Sequence, residues 1–62
     1  MLDKHGMLIG KGFLVESPEP NDSDIFDHAF VGTVKGFHDK YVVVEDQEGD
    51  CFDLEPERIK IL

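Results

Sequence analysis

The sequence predicts an all-β domain of five short strands folded into a small, strongly bent barrel. Three observations carry that prediction. From Phe30 to Leu62 the apolar residues recur with a period close to two, the spacing of a half-buried strand. Turn-forming residues separate those runs at short intervals. No segment shows the three-to-four spacing of an amphipathic helix of ordinary length. The chain has 62 residues, read as a single domain over 1–62. A chain of this size buries only about 60% of its extended surface, so its core must be compact.

The first strand is expected over Met7–Val15, where Gly10 and Gly12 mark a bulge or the close approach of another backbone. Met1–Gly6 carries no pattern and is expected to be frayed. Glu16–His28 holds Pro18, Pro20, an Asn21-Asp22 pair and several acids, the composition of a long loop. Loops of that length tend to be functional or mobile. Ile25 and Phe26, side by side within it, are expected to fold back over one end of the barrel. Phe30–Phe37 is the second strand, and His38-Asp39-Lys40 is a short hairpin turn. Tyr41–Asp46 is the most β-prone run in the chain. Gln47-Glu48-Gly49-Asp50 supplies a turn in which Gly49 can take a positive φ. Cys51–Leu54 then alternates, with Phe52 and Leu54 inward and Cys51 and Asp53 outward. Glu55–Arg58 fits a single 3₁₀ turn, and Ile59–Leu62 closes the sheet with Ile59 and Ile61 inward.

A long loop after strand 1, two tight hairpins and a 3₁₀ turn before strand 5 form the order of an SH3-like barrel. The tract Ala29–Phe37, then Tyr41–Val44, Gly49-Asp50 and Glu57-Arg58-Ile59, resembles the SH3-like barrels of the Tudor and KOW type over about half of the chain. The resemblance implies a five-stranded SH3-like barrel and two kinds of ligand. Tudor barrels commonly receive a methylated Lys or Arg in an aromatic cage at one barrel end. KOW barrels contact RNA or another protein. This chain departs from the Tudor pattern in having no tryptophan.

Composition narrows the partners. Fourteen Asp and Glu against six Lys and Arg give a net charge of −8. That excess repels a phosphate backbone at long range and argues against DNA or RNA, whose binders gain affinity from Lys and Arg contacts to phosphate. It favours a basic protein or peptide segment, although such charge also serves simply to keep a small domain soluble and monomeric. The single cysteine, Cys51, allows neither an internal disulfide nor a paired-cysteine zinc site. The longest apolar stretch, within Met7–Val15, is far shorter than the ~20 residues that cross a bilayer, and no cleavage site follows it. A cytoplasmic protein without cofactor or membrane contact is expected, as a monomer or a weak homodimer.

Four constellations could carry chemistry. Phe26, Phe37 and Tyr41, beside Asp24, Asp27 and Glu45, would make a pocket for an ammonium or guanidinium group, since ring faces and carboxylates both attract it. The alternative leaves Phe26 and Phe37 in the core and Tyr41 packed across its hairpin. Glu45, Asp46, Glu48 and Asp50, continued by Asp53, Glu55 and Glu57, gather seven of the fourteen carboxylates on adjacent loops. This acidic edge is either a solvated face or an attractor for a basic segment. Asn21-Asp22-Ser23-Asp24 with Asp27 suggests calcium, but Phe26 and the missing glycine break the EF-hand pattern, and turn formation explains these residues better. Cys51, His28 and His38 lack the placement of a nucleophile and its base.

The reading is therefore a non-enzymatic interaction module whose acidic face binds a basic segment. The alternative is a KOW-like nucleic-acid or ribonucleoprotein contact through Lys11, Lys35, Lys40 and Lys60, which requires those lysines to share one face. A third possibility is an edge strand that pairs with another copy or subunit.

Overall fold

A computed structural model describes residues 1–62 and contains β1 (Leu14–Glu16), β2 (Val31–His38), β3 (Tyr41–Glu45), β4 (Cys51–Leu54), a 3₁₀ turn (Pro56–Arg58) and β5 (Lys60–Ile61). All pairings are antiparallel, in one sheet of order β4-β3-β2-β1-β5. No helix is long and apolar enough to cross a membrane.

The Val-rich β3 anchors the sheet. Its alternate side chains Val42 and Val44 are fully buried and face Val34 of β2 and Leu54 of β4 in one apolar cluster with Ile9, Val15 and Ile59. Phe26, Phe30, Phe52 and Ile61 pack around that cluster. The expected alternation of β4 is found: Cys51 and Asp53 are exposed, Phe52 is half-buried and Leu54 buried. β2 and β3 meet at the Asp39-Lys40 turn, where Asp39 takes φ 56°, and their register slips at a bulge between Val34 and Gly36. The backbone of β3 passes close beside Gly32 of β2. A Cβ there would stand 2.5 Å from the Glu45 carbonyl oxygen and 2.7 Å from Val44 Cγ1.

Three expectations change. The first strand is three residues, Leu14–Glu16, rather than Met7–Val15. Gly10–Phe13 is a tight turn closed by the Phe13 N–H donating to the Gly10 oxygen at 3.2 Å, and Gly12 supplies its φ of +88°. Within the long loop only Phe26 folds back onto the core, whereas Ile25 is 85% exposed. Met1–Gly6 is held in place. Asp3, 5% exposed, accepts from the His5 and Met7 N–H groups through Oδ1 and from the Ile61 N–H through Oδ2. The Lys4 N–H donates to the Ile59 oxygen at 2.9 Å. This turn covers the outer edge of β5.

The end strands β4 and β5 do not pair, so hydrogen bonding does not close the sheet into a barrel. The 3₁₀ turn between them, closed by the Ile59 N–H donating to the Pro56 oxygen, redirects the chain across to β1.

The Ile61 N–H, helped by those of Met7 and His5, holds the Asp3 carboxyl below its ordinary value of 3.8 against the opposing effect of burial. A depressed carboxylate contributes stability above the unfolded-state value and loses it as pH falls through the folded one. The Asp3 clasp is therefore expected to hold above pH 3.8 and to release below it. Asp3→Asn replaces one acceptor oxygen with an amino group and leaves a donor unmatched. In acid titrations followed by circular dichroism, the variant should be less stable at neutral pH and lose less on acidification. Equal acid dependence in parent and variant would speak against the clasp.

Candidate functional site

Three phenylalanines from separate parts of the chain converge beside the β3–β4 turn. Phe26 comes from the long loop, Phe30 from the residue before β2 and Phe52 from β4. Their centroids lie 5.4 Å (Phe26–Phe30), 5.6 Å (Phe26–Phe52) and 5.3 Å (Phe30–Phe52) apart. The two Phe26 pairs meet edge to face, an arrangement favoured by the ring quadrupole. Ser17 ties the loop's ends together, donating its N–H to the Phe30 oxygen and accepting the Phe30 N–H at Oγ, each at 2.8 Å.

The rings floor an open groove of about 600 Å³ whose rim carries Asp27, Asp46, Glu48 and Asp50. The β3–β4 turn is built around Asp46. Its Oδ1 accepts from the Glu48 and Asp50 N–H groups at 2.9 Å, and its own N–H donates to the Asp50 oxygen at 2.8 Å. That geometry brings ligand atoms of Asp46, Glu48 and Asp50 within 4.8 Å of one another. One Asp46 oxygen is committed to the backbone, and Glu48 and Asp50 are exposed, as solvated acids on a turn usually are.

The candidate residues named from sequence divide between this groove and other places. Phe26, Asp27, Asp46, Glu48 and Asp50 line it. Phe37 and Tyr41 do not join Phe26. They lie where β2 turns into β3, while the groove lies at the far end of β3, after Glu45. Phe37 is 46% exposed, and Lys40 Nζ sits 5.8 Å from the Tyr41 ring centre. Glu45 faces Lys35 at 3.8 Å on the sheet surface.

Asp24 is engaged within the chain. Arg58 Nη2 donates to its Oδ2 at 3.0 Å and Nη1 to its Oδ1 at 3.4 Å. The same guanidinium reaches Glu55 Oε1 at 3.2 Å and the Glu19 oxygen at 3.3 Å. The Arg58 bonds, with the Asn21 N–H, hold the Asp24 carboxyl below its ordinary value, and the Asp24 carboxylate raises the Arg58 guanidinium above its own. Asp24 thus fixes the loop that carries Phe26 and is not free to receive a ligand. Asn21 Oδ1 accepts from the Ser23 N–H and Oγ, so it serves the local turn.

Cys51 is a free, exposed thiol with no hydrogen bond to either histidine, and His28 Nδ1 instead lies 2.6 Å from Asp27 Oδ1. The lysines of the nucleic-acid alternative stand on four different elements: the Gly10–Phe13 turn, β2, the β2–β3 turn and β5. Phe30 and Phe52 were missed as groove residues because strand alternation marks both only as inward-facing. Arg58 lies 34 residues from Asp24, and no local pattern announces that pair.

No family model, curated protein or solved structure matches this chain. The functional reading therefore rests on the site itself.

Proposed function

We propose that this chain is a non-enzymatic interaction module that holds a basic segment of a partner protein in the groove floored by Phe26, Phe30 and Phe52. The observation that carries the reading is the pairing of that aromatic floor with four rim carboxylates on a chain of net charge −8. Lys and Arg stems are apolar and their heads cationic, so a floor of rings beneath a rim of acids suits both parts. A cation over a ring face contributes about 0.5–1 kcal/mol at exposed sites. The rim charges steer a basic partner towards the groove at a rate that falls with salt.

The strand order and the 3₁₀ turn before β5 support the SH3-like reading of the fold. The free Cys51 thiol suits a reducing cytoplasm, and the net charge of −8 favours the monomer.

Calorimetric titration with a Lys/Arg-rich peptide tests the function. Raising salt from roughly 0.01 M to about 0.15 M shortens the Debye length from ~30 Å to ~8 Å, so affinity should drop. Neutralising Asp27, Glu48 and Asp50 together, as Asp27→Asn, Glu48→Gln and Asp50→Asn, should weaken binding about tenfold at low salt, since each exposed pair contributes about 0.2–1 kcal/mol. Unchanged affinity in the triple variant would remove the proposal.

A further inference from the structure

The two edges of the sheet are finished differently. β5 is covered by the N-terminal turn through the Lys4 N–H to Ile59 and the Ile61 N–H to Asp3. β4 has no such cover. Its one strand partner is β3, and no hydrogen bond from the rest of the chain reaches Cys51–Leu54.

The ladder shows which groups are left free. The Asp46 N–H donates to the Asp50 oxygen, so these two form a hydrogen-bonded pair. Bonded and non-bonded pairs alternate along an antiparallel ladder. With Glu45 opposite Cys51 and Val43 opposite Asp53, the N–H and C=O groups of Phe52 and Leu54 are directed at β3. Those of Cys51 and Asp53 are directed at the open edge.

A trough runs beside that edge. The groove described above and a smaller hollow of about 370 Å³ share Ile25, Phe26 and Phe52, and the smaller one also reaches Cys51 and Asp53. Along β4 the faces alternate: Cys51 and Asp53 stand on the exposed face, and Phe52 and Leu54 on the apolar one. The carboxylates of Asp46, Glu48 and Asp50 crowd one end.

We infer that β4 is the docking edge for an extended partner segment carrying basic and apolar residues in alternation, which adds to the sheet beside Cys51 and Asp53. The inference rests on the proposed function and gives the partner its conformation and sequence pattern. Main-chain bonds to Cys51 and Asp53 supply attachment, and alternate side chains supply selectivity. Basic side chains fall on the Phe52 face, over the rings and the acids of the β3–β4 turn. Apolar ones fall on the opposite face, beside Cys51. A second copy is a poor occupant, since it brings its own charge of −8 to an acidic edge. The short edge also limits unwanted pairing.

The test uses the whole chain and a blocked Lys-Val repeat peptide of about eight residues, long enough to pass the whole of β4. Two further versions carry N-methyl groups on every lysine amide or on every valine amide. Only one set of amides can face β4, so one version should bind at least about tenfold more weakly than the other. The valine set weakens binding for antiparallel addition, the lysine set for parallel. The Cys51 and Asp53 amides should exchange quickly in the free protein and slowly in the complex. Equal affinities for the two methylated versions, with the parent peptide still bound, would overturn strand addition and leave the groove reading standing. No binding of the parent peptide would remove both. A dimer in sedimentation with those two amides already protected would assign the edge to a second copy and overturn the inference.

Discussion

Alanine at position 32 is expected to destabilise the domain by about 3 kcal/mol, the upper end of the usual range for overpacking. The added Cβ would sit 2.5 Å from the Glu45 carbonyl oxygen, a backbone atom that cannot rotate aside. Glu45 is paired to Thr33 and its carbonyl is directed at β2, so moving it strains the β2–β3 ladder. Val44 Cγ1, at 2.7 Å, belongs to a fully buried side chain with little room to yield. Stability for a chain of 62 residues is about 3–9 kcal/mol, so this single methyl threatens the fold. Urea unfolding of Gly32→Ala measures the loss, and a midpoint equal to that of the parent would contradict the close crossing.

Leu54→Ala is expected to remove about 2–5 kcal/mol, the lost transfer energy together with the cavity left behind. Leu54 is 2% exposed and is, with Ile59, among the largest of the fully buried side chains. It is the one member of the buried cluster contributed by β4, so its loss loosens the strand that carries Phe52 and the open edge. Leu54→Ala should therefore lower both the unfolding midpoint and the protection of β3 and β4 amides against hydrogen exchange. A loss below about 1 kcal/mol, the range of volume-conserving swaps, would show that β4 is not seated on the core.

The sequence was most legible where period two is unbroken. Phe30–Leu54 folds as read to within one residue at each strand end, because Val42, Val44 and Leu54 alternate without interruption and Asp39 and Gly49 sit where the turns require them. It was least legible before Val15. The apolar residues of Met7–Val15 suggested one strand, but Gly10-Lys11-Gly12 forms a turn that divides it. Asp3 looked featureless because its partners include Ile61, 58 positions away. The candidate site was legible in part for a similar reason. The acids of the β3–β4 turn are contiguous in sequence and stay together in space. The aromatic floor joins Phe26 and Phe30 to Phe52, which is remote from both in sequence, and adjacency to a turn pointed instead to Phe37 and Tyr41. Asp24, read as a ligand-binding acid, is taken by Arg58.

The central claim concerns place as well as charge: a basic segment should settle on the Phe26–Phe30–Phe52 floor beneath the acids of the β3–β4 turn. The most direct measurement is a ¹⁵N–¹H correlation titration of the whole chain with a Lys/Arg-rich peptide at low salt. Saturable shifts are expected in 26–30 and 46–53, weakening as salt is raised, while Phe37–Tyr41 stays still. Shifts centred on Phe37–Tyr41, or none at all in 26–30 and 46–53, would contradict it.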